Sequence, residues 1–77
     1  MNIDDFLILY PLVDMLNEYI NGGIHYTKDF QNDMKAYGVE EIEIVPYFDL
    51  DEIGSTTYDI YFWDENENVI YSHIITI

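Results

Sequence analysis

The spacing of apolar residues divides the chain into a first half with helical periodicity and a second half with strand periodicity. Over residues 3–21, apolar side chains cover most of the circumference of a helix at about 100° per residue, which predicts a first helix that is mostly buried. Asn21, Gly22 and Gly23 indicate its end, because glycine readily adopts the left-handed conformation found at helix C-termini.

Pro11 lies in the middle of this predicted helix. It removes one backbone donor and crowds the carbonyl of Leu7, so we expect a kink there. An alternative interpretation places residues 6–10 in a strand and starts the helix at Pro11, because proline is favoured at the first helical position.

A second, shorter helix is predicted after residue 26. Thr27 can cap its N-terminus, Asp29 lies in the positive first turn, and Gly38 follows its end. One face of this helix carries the apolar side chains, which are Phe30, Met34 and Tyr37.

From Glu40 onward the apolar period changes to two, which is typical of a strand half exposed to water. Pro46 lacks a donor for the ladder of a sheet and therefore indicates an edge position or the end of the strand. Two further β-rich runs, residues 56–63 and 69–77, are separated by the polar residues 64–68 and should pair as a hairpin. The alternating residues of the first strand are Glu41, Glu43 and Val45 against Ile42, Ile44 and Pro46.

These elements predict an α+β fold of one domain, residues 1–77. Two N-terminal helices precede a three-stranded antiparallel β-meander, in the order ααβββ, with the helices packed on one face of the sheet. The strand-helix alternation of a doubly wound fold is missing.

Both faces of the predicted hairpin carry apolar side chains. One face should cover the helices, and the other requires a wrapping first helix, a second copy of the protein, or partial exposure of its tyrosines. If Trp63 pairs with Val69, His73 lies opposite Asp59 and forms a cross-strand charge pair. On the second strand Tyr58, Ile60 and Phe62 share one face and Tyr61 and Trp63 the other; on the third, Ile70 and Ile74 are opposed to Val69, Tyr71, Ile75 and Ile77.

The charge of the chain limits the kind of partner that it can bind. It has 16 acidic residues against two lysines and no arginine, a formal net charge of -14. Such a surface repels nucleic acid and anionic lipid and attracts basic protein surfaces. A hydrophobic content of 49% with eight tyrosines, four phenylalanines and one tryptophan predicts a folded domain, since disordered acidic chains lack this aromatic content. We therefore expect a cationic groove on another protein as the partner, with no direct binding of nucleic acid or membrane.

No targeting segment is expected. Residues 1–5 are acidic where a signal peptide would be basic. The mainly apolar segment 6–20 is too short to span a membrane and contains charged residues. The absence of cysteine is compatible with a reducing cytoplasm and excludes thiolate zinc sites and thiol nucleophiles. We expect a soluble protein that begins at Met1 and acts in the cytoplasm of a bacterial host cell.

The sequence carries no motif for catalysis. It has no glycine-rich phosphate loop, and His25 and His73 are far apart, with no partner at the spacing of a helical zinc site. Residues 49–54 match the first, third and sixth positions of an EF-hand loop, but Ile53 and Ile60 occupy ligand positions five and twelve. We therefore predict no enzyme activity, no catalytic residue, no metal site and no cofactor.

Carboxylates are concentrated around the first strand and the loop that follows it. Glu41 and Glu43 should lie about 7 Å apart on one face, at about 3.3 Å per residue, a spacing that resembles successive phosphates along a nucleic-acid strand. A sequence selected only for solubility would intersperse lysines among such like charges. Tyr47 and Trp63 are candidates for anchoring an interface or for the core. The predicted partner-binding residues are Glu40, Glu41, Glu43, Asp49, Asp51 and Glu52, followed by Asp64, Glu65 and Glu67 in the hairpin turn.

In size, charge, lack of cysteine and α+β make-up, the whole chain resembles the small acidic inhibitors of phages and mobile elements. This group includes anti-CRISPR proteins, uracil-DNA glycosylase inhibitors and anti-restriction proteins, and many of its members act as DNA mimics. The resemblance implies a non-enzymatic inhibitor that competes for the DNA groove of a CRISPR effector or another DNA-processing enzyme. The alternative is a structural or regulatory module that forms a homodimer through an apolar sheet face and uses its acids for solubility.

Overall fold

The part of the chain that the structure describes folds as three helices followed by three strands. The computed structural model describes residues 2–48 and 55–77. The chain is divided into two compact units, Met1–Val39 and Glu40–Ile77. The α+β class and the antiparallel meander are confirmed, whereas the prediction of two helices is wrong, because the order is αααβββ. The elements are α1 (Ile3–Leu9), α2 (Leu12–Ile20), α3 (Lys28–Ala36), β1 (Glu41–Phe48), β2 (Thr56–Trp63) and β3 (Val69–Thr76).

Pro11 breaks the predicted first helix in two instead of kinking it. Tyr10 leaves the helical region, at φ -129° and ψ 84°, because the residue before a proline is sterically excluded from it. Pro11 has φ -58° and ψ 140°, and its carbonyl accepts from the backbone N–H groups of Asp14 and Met15 at 3.1 and 3.2 Å. It is thus the N-cap residue of α2 and precedes the first helical position. The alternative strand over residues 6–10 is also wrong, since Phe6 to Leu9 belong to α1.

The break also overturns the expectation that this segment is mostly buried. Phe6 and Leu16 are buried, but Ile8, Leu9 and Val13 are 76%, 59% and 60% exposed. The reason is that a count of 100° per residue cannot be continued through Pro11, so the apolar residues beside the break do not share the face of their neighbours.

Aromatic rings form the centre of the helical unit. The ring of Phe6 lies 5.1 Å from that of Tyr10, 5.9 Å from that of Phe30 and 5.7 Å from that of Tyr37. The Tyr10 hydroxyl donates a hydrogen bond to Oδ2 of Asp33, and this bond is the main reason that the pKa of Tyr10 is raised. Helices of seven and nine residues are marginal alone, so this packing holds them in place.

Helix α3 has the ends that the sequence predicts. The Thr27 hydroxyl oxygen accepts from the backbone N–H of Phe30 at 3.2 Å and caps the first turn. Gly38 follows the last turn with φ 76°, a left-handed conformation that glycine adopts without steric cost. Within the described ranges, no helix is long and apolar enough to cross a membrane.

The three strands form one antiparallel sheet in the order β1-β2-β3. Ile42 pairs with Phe62 and Ile44 with Ile60, so these side chains share one face. Ile42, Ile60 and Phe62 are the buried apolar side chains of the unit among the described residues, and we call their side of the sheet the Phe62 face. The edge position predicted for Pro46 is confirmed, because β1 has β2 as its single neighbour in the described sheet.

A bulge in β3 overturns the predicted pairing of His73 with Asp59. Trp63 pairs with Val69, as supposed, but Phe62 pairs with Tyr71, so β3 contains one extra residue at this point. Beyond the bulge every partner is displaced by one residue. His73 therefore lies opposite Ile60, and Asp59 lies opposite Ile74.

The cap of α3 can be tested by replacing Thr27 with alanine. We expect the free energy of unfolding to fall by about 1 kcal/mol, because the N–H of Phe30 loses its acceptor. Urea denaturation followed by circular dichroism measures this change. Thr27→Ser keeps the hydroxyl and serves as the control, and equal stability of the two variants would contradict the assignment of the cap.

Candidate protein-interaction face

The side of the sheet opposite the Phe62 face carries both acidic and aromatic side chains. Register places Glu41 opposite Trp63, and Glu43 opposite Tyr61. Val45 lies opposite Asp59 on the same side. We call this side the Tyr61 face. Its members on β1 and β2 are Glu41, Glu43, Val45, Tyr47, Thr57, Asp59, Tyr61 and Trp63.

Three carboxylates of the Tyr61 face form a short row. Glu41 and Glu43 are exposed and lie two residues apart on β1, a separation of about 7 Å. Asp59 is the diagonal neighbour of Glu43 across the β1–β2 pair, a position about 7–8 Å away. Each step along the row is therefore similar in length, and the row runs from the edge strand to the central strand.

Tyr61 lies within the field of these carboxylates. Its hydroxyl donates a 3.2 Å hydrogen bond to Oδ2 of Asp59. Partial removal from water raises the pKa of Tyr61 above 10.0, and the hydrogen bond and charge of Asp59 raise it further, with smaller contributions from Tyr47 and Glu43. The phenol therefore remains a neutral donor that holds the Asp59 carboxylate in place.

Aromatic side chains lie beside the acidic row. Tyr47 is 53% exposed at one end of the face, and Trp63 is partly exposed opposite Glu41. The sequence leaves open whether these two residues belong to the core or to an interface. In the structure neither of them is fully buried. A ring and a carboxylate side by side suit a cationic partner, which can stack on the one and pair with the other.

Cationic side chains are confined to the other part of the chain. Residues 40–77 contain ten of the 16 acidic residues and neither lysine. Lys28 and Lys35 both lie on α3, in the helical unit. The carboxylates of the sheet unit consequently have no lysine or arginine within their own unit to neutralise them.

Asp64 differs from the other acids of the hairpin turn, because its carboxylate holds the turn together. Its Oδ1 accepts from the backbone N–H groups of Asn66 and Asn68 at 2.9 and 2.8 Å, and its Oδ2 accepts from Nδ2 of Asn68 at 3.4 Å. The bond from the Asn68 backbone is the main cause that lowers the pKa of Asp64. Glu65 and Glu67 are exposed, and Glu67 contributes to the turn through its backbone N–H, which donates to the carbonyl of Asp64 at 3.2 Å.

The predicted partner-binding residues thus fall into three groups. Glu40, Glu41 and Glu43 are exposed at the start of β1, and Glu65 and Glu67 are exposed in the turn. Asp64 has a structural role that the sequence analysis did not assign. Asp49, Asp51 and Glu52 lie outside the described residues, as does the EF-hand-like segment 49–54.

Asp59 is the residue of the face that sequence analysis missed. The sequence identifies it only as a possible partner of His73, because its place beside Glu43 depends on the register of β1 against β2. One signal was available, because Asp59 is two residues from Tyr61 and must share its face in any strand.

The described residues hold no group of three or more histidine, aspartate or glutamate side chains placed to bind a metal ion. His25 is exposed in the segment before α3, and His73 stacks at 6.5 Å between ring centres on Tyr71.

Scans of family models, of curated proteins and of solved structures found no match to this chain. The chemistry of the Tyr61 face and of the turn beside it is therefore what bears on the function of this protein.

The contact between Asp59 and Tyr61 predicts the titration of the phenol. Replacing Asp59 with asparagine should lower the pKa of Tyr61, because the negative charge beside the phenol is lost and the carboxylate acceptor is replaced by a weaker, neutral amide oxygen. In the folded protein Tyr61 keeps its proton to a higher pH than in the unfolded chain, so its contribution to stability is complete below pH 10 and is lost as the pH rises through the folded pKa.

A 13C NMR titration of labelled tyrosine rings measures this pKa. Asp4→Asn removes one carboxylate from the other unit and is the matched control. An unchanged Tyr61 titration in the Asp59 variant would show that the hydrogen bond is not formed in solution.

The Asp64 turn predicts an acid-dependent loss of stability. Because the folded pKa lies below the ordinary value of 3.8, the contribution of Asp64 is present above pH 3.8 and is lost as the pH falls through the folded pKa. We expect the stability difference between the wild type and Asp64→Ala to shrink over this range in urea denaturation. Glu65→Ala, which removes an exposed acid of the same turn and leaves the bonds to Asp64 in place, is the matched control.

Proposed function

We propose that this protein is a non-enzymatic inhibitor that binds the cationic nucleic-acid-binding site of a DNA-processing enzyme. A CRISPR effector is the first choice of target. The observation that supports the proposal most directly is the row of Glu41, Glu43 and Asp59, on a sheet unit that contains no lysine or arginine.

The spacing of the row suits competition with nucleic acid. Carboxylates at steps of about 7 Å offer acceptors at intervals similar to those of backbone phosphates, which lysine and arginine side chains of the target already bind. Each such contact is a charge-assisted hydrogen bond, and several together give an affinity that falls with salt. The inhibitor then acts by occupying the groove, with no bond made or broken.

The aromatic side chains favour arginine as the contacting residue on the target. A guanidinium group can pair with a carboxylate through its edge and stack on an aromatic ring through its plane. Trp63 opposite Glu41 and Tyr47 at the end of the face provide both kinds of group. Lysine can satisfy the carboxylates but gains less from the rings.

A dimer formed face to face through the sheet is less well supported. It would place the carboxylates of Glu41, Glu43 and Asp59 against those of a second copy in a region that excludes water. Burying like charges together is costly without cations between them, and the unit supplies none.

The experiment that tests the proposal is capture from bacterial lysate on immobilised protein, with elution by a salt gradient. The mimic hypothesis predicts enrichment of a nucleic-acid enzyme that is displaced both by salt and by duplex DNA. The captured enzyme, once purified, should lose DNA binding as the inhibitor is added. A captured protein that binds DNA and inhibitor together would refute competition.

Charge reversal locates the contact. Glu41→Lys with Glu43→Lys should weaken binding to the captured enzyme by at least roughly 100-fold, since each of the two charge-assisted hydrogen bonds contributes about 1.5–3 kcal/mol. Asp4→Lys with Asp5→Lys makes the same change of charge on α1 and is the matched control. Equal losses in both variants would mean that only net charge matters, and no loss in the first would move the site away from β1.

A further inference from the structure

The two edges of the sheet differ in charge. β1 carries Glu41 and Glu43, and Pro46 lies within it. β3 and the residue after it, residues 69–77, contain no acidic side chain, although the chain has 16 acids. Six of the eight residues of β3 are exposed, and Ile74 is 65% exposed. An exposed, uncharged edge strand is a template for pairing with another strand.

The hydrogen bonds show which backbone groups of β3 point outward. Thr56 and Ile77 exchange both of their backbone hydrogen bonds, each at 3.0 Å, so they form a hydrogen-bonded pair. Because the pattern alternates along an antiparallel strand, Ile75, His73 and Tyr71 also bond toward β2. The residues between them direct their N–H and C=O groups away from β2, and these are Ser72, Ile74 and Thr76.

The same alternation makes the β1 edge a poor template. The carbonyl of Trp63 accepts from Glu40 at 2.7 Å, which shows that the odd-numbered residues of β2 bond toward β1. Pro46 therefore lies at a position whose donor would point outward, and proline has none to offer. Charge and backbone chemistry both protect this edge, while β3 has neither protection.

We propose that the β3 edge binds the β3 edge of a second copy of this chain, antiparallel and centred on Ile74. The proposal does not depend on the proposed function. In this register the outward groups of Ser72 in one copy meet those of Thr76 in the other, and Ile74 meets its own equivalent. The result is a continuous six-stranded sheet about a twofold axis, in which the same surface serves both copies.

The side chains of β3 are complementary to themselves in this arrangement. Ile74 packs against Ile74, and the hydroxyls of Ser72 and Thr76 lie side by side, a favourable cross-strand pair. On the other face, His73 of one copy lies opposite Ile75 of the other, so the two histidines do not face each other. No pair brings two charges of the same sign together.

Net charge opposes this association at long range, because each copy carries a formal charge of -14. Salt screens that repulsion, with a Debye length of about 10 Å at 0.1 M and about 3 Å at 1 M. The dimer should therefore tighten as salt rises, whereas binding to a cationic enzyme weakens. Because salt changes the two affinities in opposite directions, a failure of the dimer proposal can be distinguished from a failure of the proposed function.

Disulfide trapping tests the register, and the chain has no cysteine of its own to interfere. Ile74→Cys should form an intermolecular disulfide rapidly under mild oxidation, since hydrogen-bonded partners have Cα atoms about 5.5 Å apart, within disulfide range. Ser72→Cys alone should remain monomeric on non-reducing gels. In this register Ser72 of the second copy lies four residues along the strand from the position opposite Ser72, about 13 Å away. A mixture of Ser72→Cys and Thr76→Cys chains should cross-link.

Sedimentation of the wild type and two variants completes the test. Ile74→Pro removes the outward donor, and Ile74→Lys keeps the donor but adds charge at the twofold axis; each should raise the dimer dissociation constant at least about tenfold. Val13→Lys makes the same kind of change at a side chain that is 60% exposed in the helical unit, and should leave the dimer intact.

A wild-type chain that sediments as a monomer at every salt concentration overturns the proposal. Equal cross-linking of Ser72→Cys and Ile74→Cys chains would also overturn it. Such a result would show that the chains meet by random collision and do not pair in a fixed register. If the dimer is absent but the β3 edge is necessary for capture of the target enzyme, the strand that pairs with β3 belongs to that enzyme.

Discussion

Repulsion among carboxylates is the constraint to which the rest of the structure conforms. Among the described residues every side chain that is buried is apolar, so all of the charge lies at or near the surface. Of the acids that the structure describes, three are held by hydrogen bonds from neighbours: Asp33 by Tyr10, Asp59 by Tyr61, and Asp64 by the backbone of its own turn. The sheet keeps its buried apolar side chains apart from its carboxylates. The Phe62 face carries the buried residues, and the Tyr61 face carries Glu41, Glu43 and Asp59.

The parts of the fold that could be predicted are those with a local signal. A period of two places Ile42 and Glu41 on opposite faces, whatever strand they pair with. Thr27 and Gly38 mark the ends of α3 through bonds and dihedral angles that involve only nearby residues. Such local signals predict the three strands, α3 and the exposed positions of Glu41 and Glu43.

The parts that could not be predicted depend on competition between similar energies or on pairing at a distance. Whether Pro11 kinks a helix or ends it is decided by what the flanking segments pack against, as in the ring cluster around Phe6. The bulge before Tyr71 leaves no mark in the periodicity, yet it exchanges the partners of His73 and Asp59. The acidic row itself needed the register of β1 against β2, without which Asp59 could not be placed beside Glu43.

The order of the strands has a consequence for how the chain reaches this structure. Each strand pairs with the one that follows it in sequence, so the sheet requires two connections between neighbouring strands and no long crossover. Closing short loops costs little chain entropy, and topologies made of such neighbouring contacts fold quickly for their size. Rapid closure also shortens the time for which the uncharged β3 segment is unpaired beside other nascent chains, where unprotected strands associate wrongly.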